Sequence, residues 1–234
     1  MTTRNDAHST RKTWARIAGL MFLLYIAVGL TQMVIGGVSG EDTAAKLASM
    51  AQHAATVRIN VVLTLVICFI ALILAVALHA ITREQNADLA TLALMCRVGE
   101  SLIAAVTIPT TLGLLALATA AGPNAPHTAD TYAFASVLLS ADSWSPSISA
   151  IFFAVGSAIF SWLLLRGRMI PAALAWLGVL VSVLWVVGLP LQLVGVLPGS
   201  VTWLIYLPMA AFEIPLALWL LVKGVALPAQ WQPA

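Results

Sequence analysis

The 23 residues INVVLTLVICFIALILAVALHAI, Ile59–Ile81, contain no Asp, Glu, Lys or Arg. A helix rising 1.5 Å per residue crosses a hydrocarbon core of about 30 Å in roughly 20 residues, so this run is long enough to span a bilayer. Apolar stretches of similar length lie on either side, bounded by charge, Gly or Pro. They place spans at about 17–38, 59–81, 92–120 (within Leu89–Ala121), 148–165, 170–194 and 201–223. The runs are too continuous for alternating barrel strands, and a backbone in lipid must satisfy its own hydrogen bonds, so the spans are helices.

Composition agrees. Of 234 residues, 61% are hydrophobic and 9% charged, against about 25% charged in a soluble domain, and the mean hydropathy is +1.00. These figures exclude a soluble enzyme, a disordered chain, a coiled coil and a disulfide-stapled module. A net charge of +2 without a dense basic cluster argues against a nucleic-acid partner. Cys68 and Cys96 fall in or beside apolar runs, where a thiol acts as a small hydrophobe.

The expected architecture is an all-α integral membrane bundle of six transmembrane helices forming one domain. The first run follows Arg4, Arg11, Lys12 and Arg16 but is longer than a signal-peptide core, so it reads as a retained helix after a cytoplasmic segment, residues 1–14. Two additions lie on the outer side: a short surface helix within Glu41–Thr56, and a half-length helix from Asp130 to Leu139 that stops at Asp142–Pro146 before the fourth span. Gly122–Pro126 reads as a loop. Basic residues divide eight to two between the sides, with Arg4, Arg11, Lys12, Arg16, Arg83, Arg166, Arg168 and Lys223 opposite Lys46 and Arg58. Both termini are therefore expected in the cytoplasm.

Ionisable groups inside apolar spans are costly and mark function by default. Glu213 is the firmest, about 12 residues from one end of its helix and 10 from the other, with Pro208 and Pro215 flanking it. Arg97 and Glu100 stand at i and i+3 on one helix face. They sit either at the cytoplasmic interface or, if the helix begins near Leu89, deep enough for Arg97 to bridge to Glu213 with Glu100 beside it. Secondary candidates are Arg58, expected at a solvated rim or against Asp142, and His79, expected to be an interfacial hydrogen-bonding group.

Several segments carry a resemblance. Arg16–Leu20, Cys96–Glu100, Leu165–Pro171 running into Leu174–Gly178, and the ending Phe212–Gly224 (FEIPLALWLLVKG) resemble the bacterial domain-of-unknown-function family 4386 over nearly the whole chain. The resemblance implies a multi-pass protein of the bacterial cytoplasmic (inner) membrane, and it supplies no activity.

The four His, at 8, 53, 79 and 127, are too scattered for a membrane zinc site or two-His haem ligation. No nucleophile elbow, P-loop or mid-membrane Lys is present. No cofactor, metal site or catalytic residue is therefore assigned. Three classes remain: a binding or accessory protein holding membrane lipid, a lipid-like or small apolar ligand, or docking a membrane partner or a second copy; a proton-coupled transporter of a small solute using Glu213; and an intramembrane enzyme using Glu213 or Glu100 as general base.

Overall fold

A computed structural model describes residues 2–120, 129–198 and 202–226. The loop expected at Gly122–Pro126, His127, Val201 and the side chains of Arg4 and His8 lie outside the described residues. Seven helices and no strands are found among those described: α1 (Thr2–Ile35), α2 (Thr43–Gln52), α3 (Ala54–Thr82), α4 (Ala87–Thr119), α5 (Ala129–Arg166), α6 (Ala172–Leu193) and α7 (Thr202–Val222). Five of them, α1, α3, α4, α5 and α6, are long and apolar enough to cross a membrane. The apolar stretch of α7 runs Tyr206–Val222 and is shorter.

Local chemistry sets several of these bounds. Asp42 caps α2 by accepting from the Ala45 amide at 2.7 Å, and Asn86 caps α4 by accepting from the Leu89 amide at 2.9 Å. The short helix expected in Glu41–Thr56 is present as α2, with Leu47 and Met50 buried against Leu114, Leu115 and Ala135. The N-terminal segment is not set apart, because α1 is continuous from Thr2.

The half-length helix before the fourth span requires correction. It is the first part of one 38-residue helix, α5, with Pro146 in its interior. Proline removes one backbone hydrogen bond rather than ending every helix. Here the hydroxyls of Ser140, Ser143 and Ser145 donate to the carbonyls of Ser136, Ser140 and Ala141 at 2.8, 2.7 and 3.1 Å. Ala135, fully buried beside Leu114 and Leu115, fastens the leading half of α5 to the rest.

The six long helices close into a ring. α1 packs on α3, α3 on α4, α4 on α5, α5 on α6, α6 on α7, and α7 returns to α1. The outward faces are apolar, with Val34, Val106 and Val194 86%, 70% and 71% exposed, as a lipid-facing surface requires.

One end of the ring is sealed. The Arg11 guanidinium meets Glu84 at 2.5 Å and donates to the Ile81 carbonyl at 2.8 Å. The Ala226 amide donates to the Met169 carbonyl at 2.9 Å. Gly19 lets α1 lie directly on α7, since a Cβ there would stand 2.6 Å from the Ala217 carbonyl oxygen and the Leu221 amide nitrogen. The other end, which carries α2, is hollow.

Candidate functional site: a cavity inside the helix ring

A cavity of about 470 Å³ opens between the six long helices. Three of them contribute on a helical period. Tyr25, Gly29 and Gln32 of α1 and Glu100, Ala104 and Thr107 of α4 are spaced i, i+4, i+7; Ser145, Ser149 and Phe153 of α5 are spaced i, i+4, i+8. Thr64 comes from α3, Trp185 from α6, and Tyr206 and Glu213 from α7.

The three principal candidates all lie inside the bundle, with Arg97 2%, Glu100 5% and Glu213 9% exposed. Their pairing differs from the Arg97–Glu213 bridge that a deep Arg97 allowed as one alternative. No ion pair within 4.0 Å joins those two, and Arg97 Nη1 stands 2.8 Å from Glu100 Oε2. The helical spacing explains the preference: positions i and i+3 share a face and meet without help from tertiary packing. The N–H vectors do not point along that line, so neither Arg97 Nη1 nor Glu100 Oε2 has a hydrogen-bond partner and the attraction is coulombic. Glu100 Oε1 accepts from the Tyr25 hydroxyl at 3.1 Å. The Ser149 hydroxyl donates to the Glu100 backbone carbonyl at 3.1 Å, tying α5 to α4 at the same level.

Aromatic faces surround the guanidinium. Arg97 Cζ lies 4.5 Å from the Phe153 ring centre and 5.9 Å from that of Tyr25, within the range of cation–π attraction. Gly156 makes room for it, because a Cβ there would stand 3.1 Å from Arg97 Cγ. Glu213 Oε1 is buried and has no hydrogen-bond partner. Phe212 beside it fits against Gly178, where a Cβ would overlap the ring.

A family described as a domain of unknown function (DUF4386) matches residues 17–224. The chain belongs to the DUF4386 family. No curated protein and no solved structure matches it. The segments that carried the resemblance have structural work in this DUF4386 protein. Gly19 meets Ala217 and Leu221, Gly178 meets Phe212, and Arg97 meets Glu100.

The secondary candidates stand apart. Arg58 is exposed and makes no ion pair with Asp142. Asp142 is half-buried and lines a second hollow of about 250 Å³ with Asn60 and His53 at the α2 end. His79 is half-buried near the C-terminal end of α3, away from both hollows. Among the described residues no group of three His, Cys, Asp or Glu could hold a metal ion.

Tyr25, Gln32, Thr64, Ser149, Phe153, Trp185 and Tyr206 were missed when charge alone was followed. The available signal was the stripe of polar and small residues down one face of otherwise apolar helices. Two of its members bridge helices: the Gln32 amide donates to Thr64 Oγ1 at 3.0 Å and to the Asn60 carbonyl at 3.2 Å.

Proposed function

We propose that this DUF4386 protein is a non-enzymatic binding protein of the bacterial cytoplasmic membrane, crossing it six times with both termini inside, and that its cavity holds a small amphipathic or lipid-like molecule. The cavity is the observation that carries this reading. Its volume lies in the range of small-molecule sites, and a mostly apolar wall with a few convergent polar groups is how such sites are built. The orientation is supported by Arg11, Arg83, Arg166, Arg168 and Lys223, which cluster at the sealed end. The hollow end then faces outward.

Native mass spectrometry after gentle detergent extraction tests the reading. A small-molecule adduct is expected on the wild type and not on Gly29→Trp, because Gly29 lines the cavity with nothing within 4 Å of an added Cβ and an indole there fills the space. A wild-type protein free of adduct that no added amphiphile stabilises would overturn it.

One observation favours a second reading, proton-coupled transport of a small solute. Glu213 presents an unpartnered carboxylate oxygen beside the cavity, and Pro208 and Pro215 interrupt the hydrogen-bond ladder of its helix. Uptake into proteoliposomes driven by a pH gradient, and abolished in Glu213→Gln, would establish transport in place of simple binding.

A further inference from the structure

For a ligand seated in this cavity, the charges around it select the head group. Two carboxylates, Glu100 and Glu213, and one guanidinium, Arg97, are enclosed at this level of the bundle. Glu100 is answered twice, by Arg97 at Oε2 and by the Tyr25 hydroxyl at Oε1. Glu213, nine-tenths buried, lines the cavity with Oε1 unpartnered. Arg97 does not line the cavity. It sits against the Phe153 ring and borders a separate void of about 10 Å³ with Ser157 and Phe212. Arg11, the other buried cation among the described residues, is occupied by Glu84 at the sealed end. With both carboxylates ionised, the group of Arg97, Glu100 and Glu213 carries one more negative charge than positive, and Glu213, which forms no ion pair among the described residues, faces the cavity.

An aromatic wall lines the same space. The rings of Trp185 and Tyr206 are 4.3 Å apart between centres, and Phe153 lies 5.5 Å from Trp185. A carboxylate and aromatic faces lining one cavity suit an ammonium group, since the ring quadrupole and the formal charge attract the same cation. The approach is acidic as well. The 250 Å³ hollow shares Thr64, Thr107 and Pro146 with the cavity and places Asp142 toward the α2 end.

We propose that the ligand of this cavity carries a small organic cation, an amine or quaternary ammonium, held between the Glu213 carboxylate and the Trp185–Tyr206 wall and admitted from the Asp142 end. The proposal rests on the binding reading above and names the chemistry of its ligand. Such a cation has two sources, a water-borne amine or the ammonium head of a phospholipid.

The full-length protein in phosphatidylglycerol nanodiscs is titrated with benzyltrimethylammonium, its neutral isostere neopentylbenzene, and benzoate, with the melting temperature read from tryptophan fluorescence. The cation is expected to raise it saturably and the other two are not. Glu213→Gln should weaken the cation at least tenfold, and Tyr206→Leu by a few-fold, the scale of one cation–π contact. The three-probe comparison on the wild type decides the matter even if a variant does not fold. Neopentylbenzene stabilising as strongly as the cation, with Gly29→Trp abolishing both, overturns the cationic head group and leaves the binding reading standing. No response to any probe, with no adduct in the mass spectrum, overturns both. Competition on adding phosphatidylethanolamine to the nanodisc identifies the lipid ammonium as the source and its absence a soluble amine; either result supports the proposal.

Discussion

The two ends of this bundle meet the same packing problem with opposite chemistry. At the sealed end Ala15, Ala18, Ala77 and Ala217 are fully buried and Gly19 brings two backbones into contact. Small residues let helices approach closely enough for dispersion to hold them where lipid gives no hydrophobic drive. At the hollow end the helices carry Gln32, Asn60, Thr64 and Thr107, and Pro109, Pro146, Pro190 and Pro208 all fall in that half of their helices. Each proline leaves a carbonyl without its helical donor and bulges the backbone. A hollow in a membrane protein therefore depends as much on where close packing is denied as on which polar groups line it.

Arg97 stands at the boundary between the two halves, and removing it should have the largest effect. Arg97→Ala strips Glu100 of its counter-charge and leaves it near a second carboxylate, at a cost of about 3–5 kcal/mol, the range for breaking a buried ion pair. In double-mutant cycles read by unfolding in detergent, Arg97 should couple to Glu100 by about 1–3 kcal/mol. Its coupling to Glu213, with which it forms no ion pair, should be smaller. A stronger coupling to Glu213 would mean that the floor of the cavity is wired differently from the geometry here.

The contrast between the ends can be tested on a single helix. Gly19 and Gly29 lie ten residues apart on α1, one pressed on backbone atoms of α7 and the other facing empty space. Gly19→Ala must push α1 and α7 apart and should cost about 1–3 kcal/mol, the usual penalty for overpacking. Gly29→Ala should leave the melting temperature unchanged or raise it slightly, since alanine is the better helix former by roughly 1 kcal/mol. Equal losses from both would show that the hollow end is as tightly closed as the sealed one.

How far the sequence could be read follows from the range of the forces involved. Five helices long and apolar enough to span were legible because hydropathy over about 20 residues is a local property, and α2 because Leu47 and Met50 stand on one face among Ala and polar residues. Pro146 misled because the serine hydroxyls bond only within α5, while Ala135, which holds its leading half, packs against α4 and α2, beyond any local pattern. The burial of Glu213 was legible from its apolar surroundings, whereas that of Arg97 and Glu100 stayed open between interface and interior because it turns on where α4 begins. Which carboxylate the guanidinium chooses was not legible, because an i, i+3 neighbour competes with a residue 116 positions away whose distance only the tertiary packing sets. The aromatic wall escaped because Trp185 and Tyr206 are ordinary residues for an apolar helix until two helices bring their rings together.

The smallest expected effect is a gain, at the α5–α6 turn of the sealed end. There the Met169 amide donates to the Leu164 carbonyl and the Arg168 amide to the Leu165 carbonyl, both at 3.0 Å, with Arg168 at φ +50°. The end of α6 has the same pattern: Val196 donates to Leu191 and Gly195 to Gln192, with Gly195 at φ +78°. Such caps favour glycine, because a side chain in the left-handed region costs about 1–2 kcal/mol. Arg168 is exposed, so Arg168→Gly gives up little packing. Part of the relief is offset by the greater freedom of glycine in the unfolded chain. A net gain of about 0.5–1 kcal/mol should appear as a raised melting temperature in detergent. Repeating the measurement in anionic nanodiscs separates backbone from charge. If the gain in detergent becomes a loss there, the guanidinium is anchoring the sealed end to lipid headgroups, and the strained cap is retained for that contact.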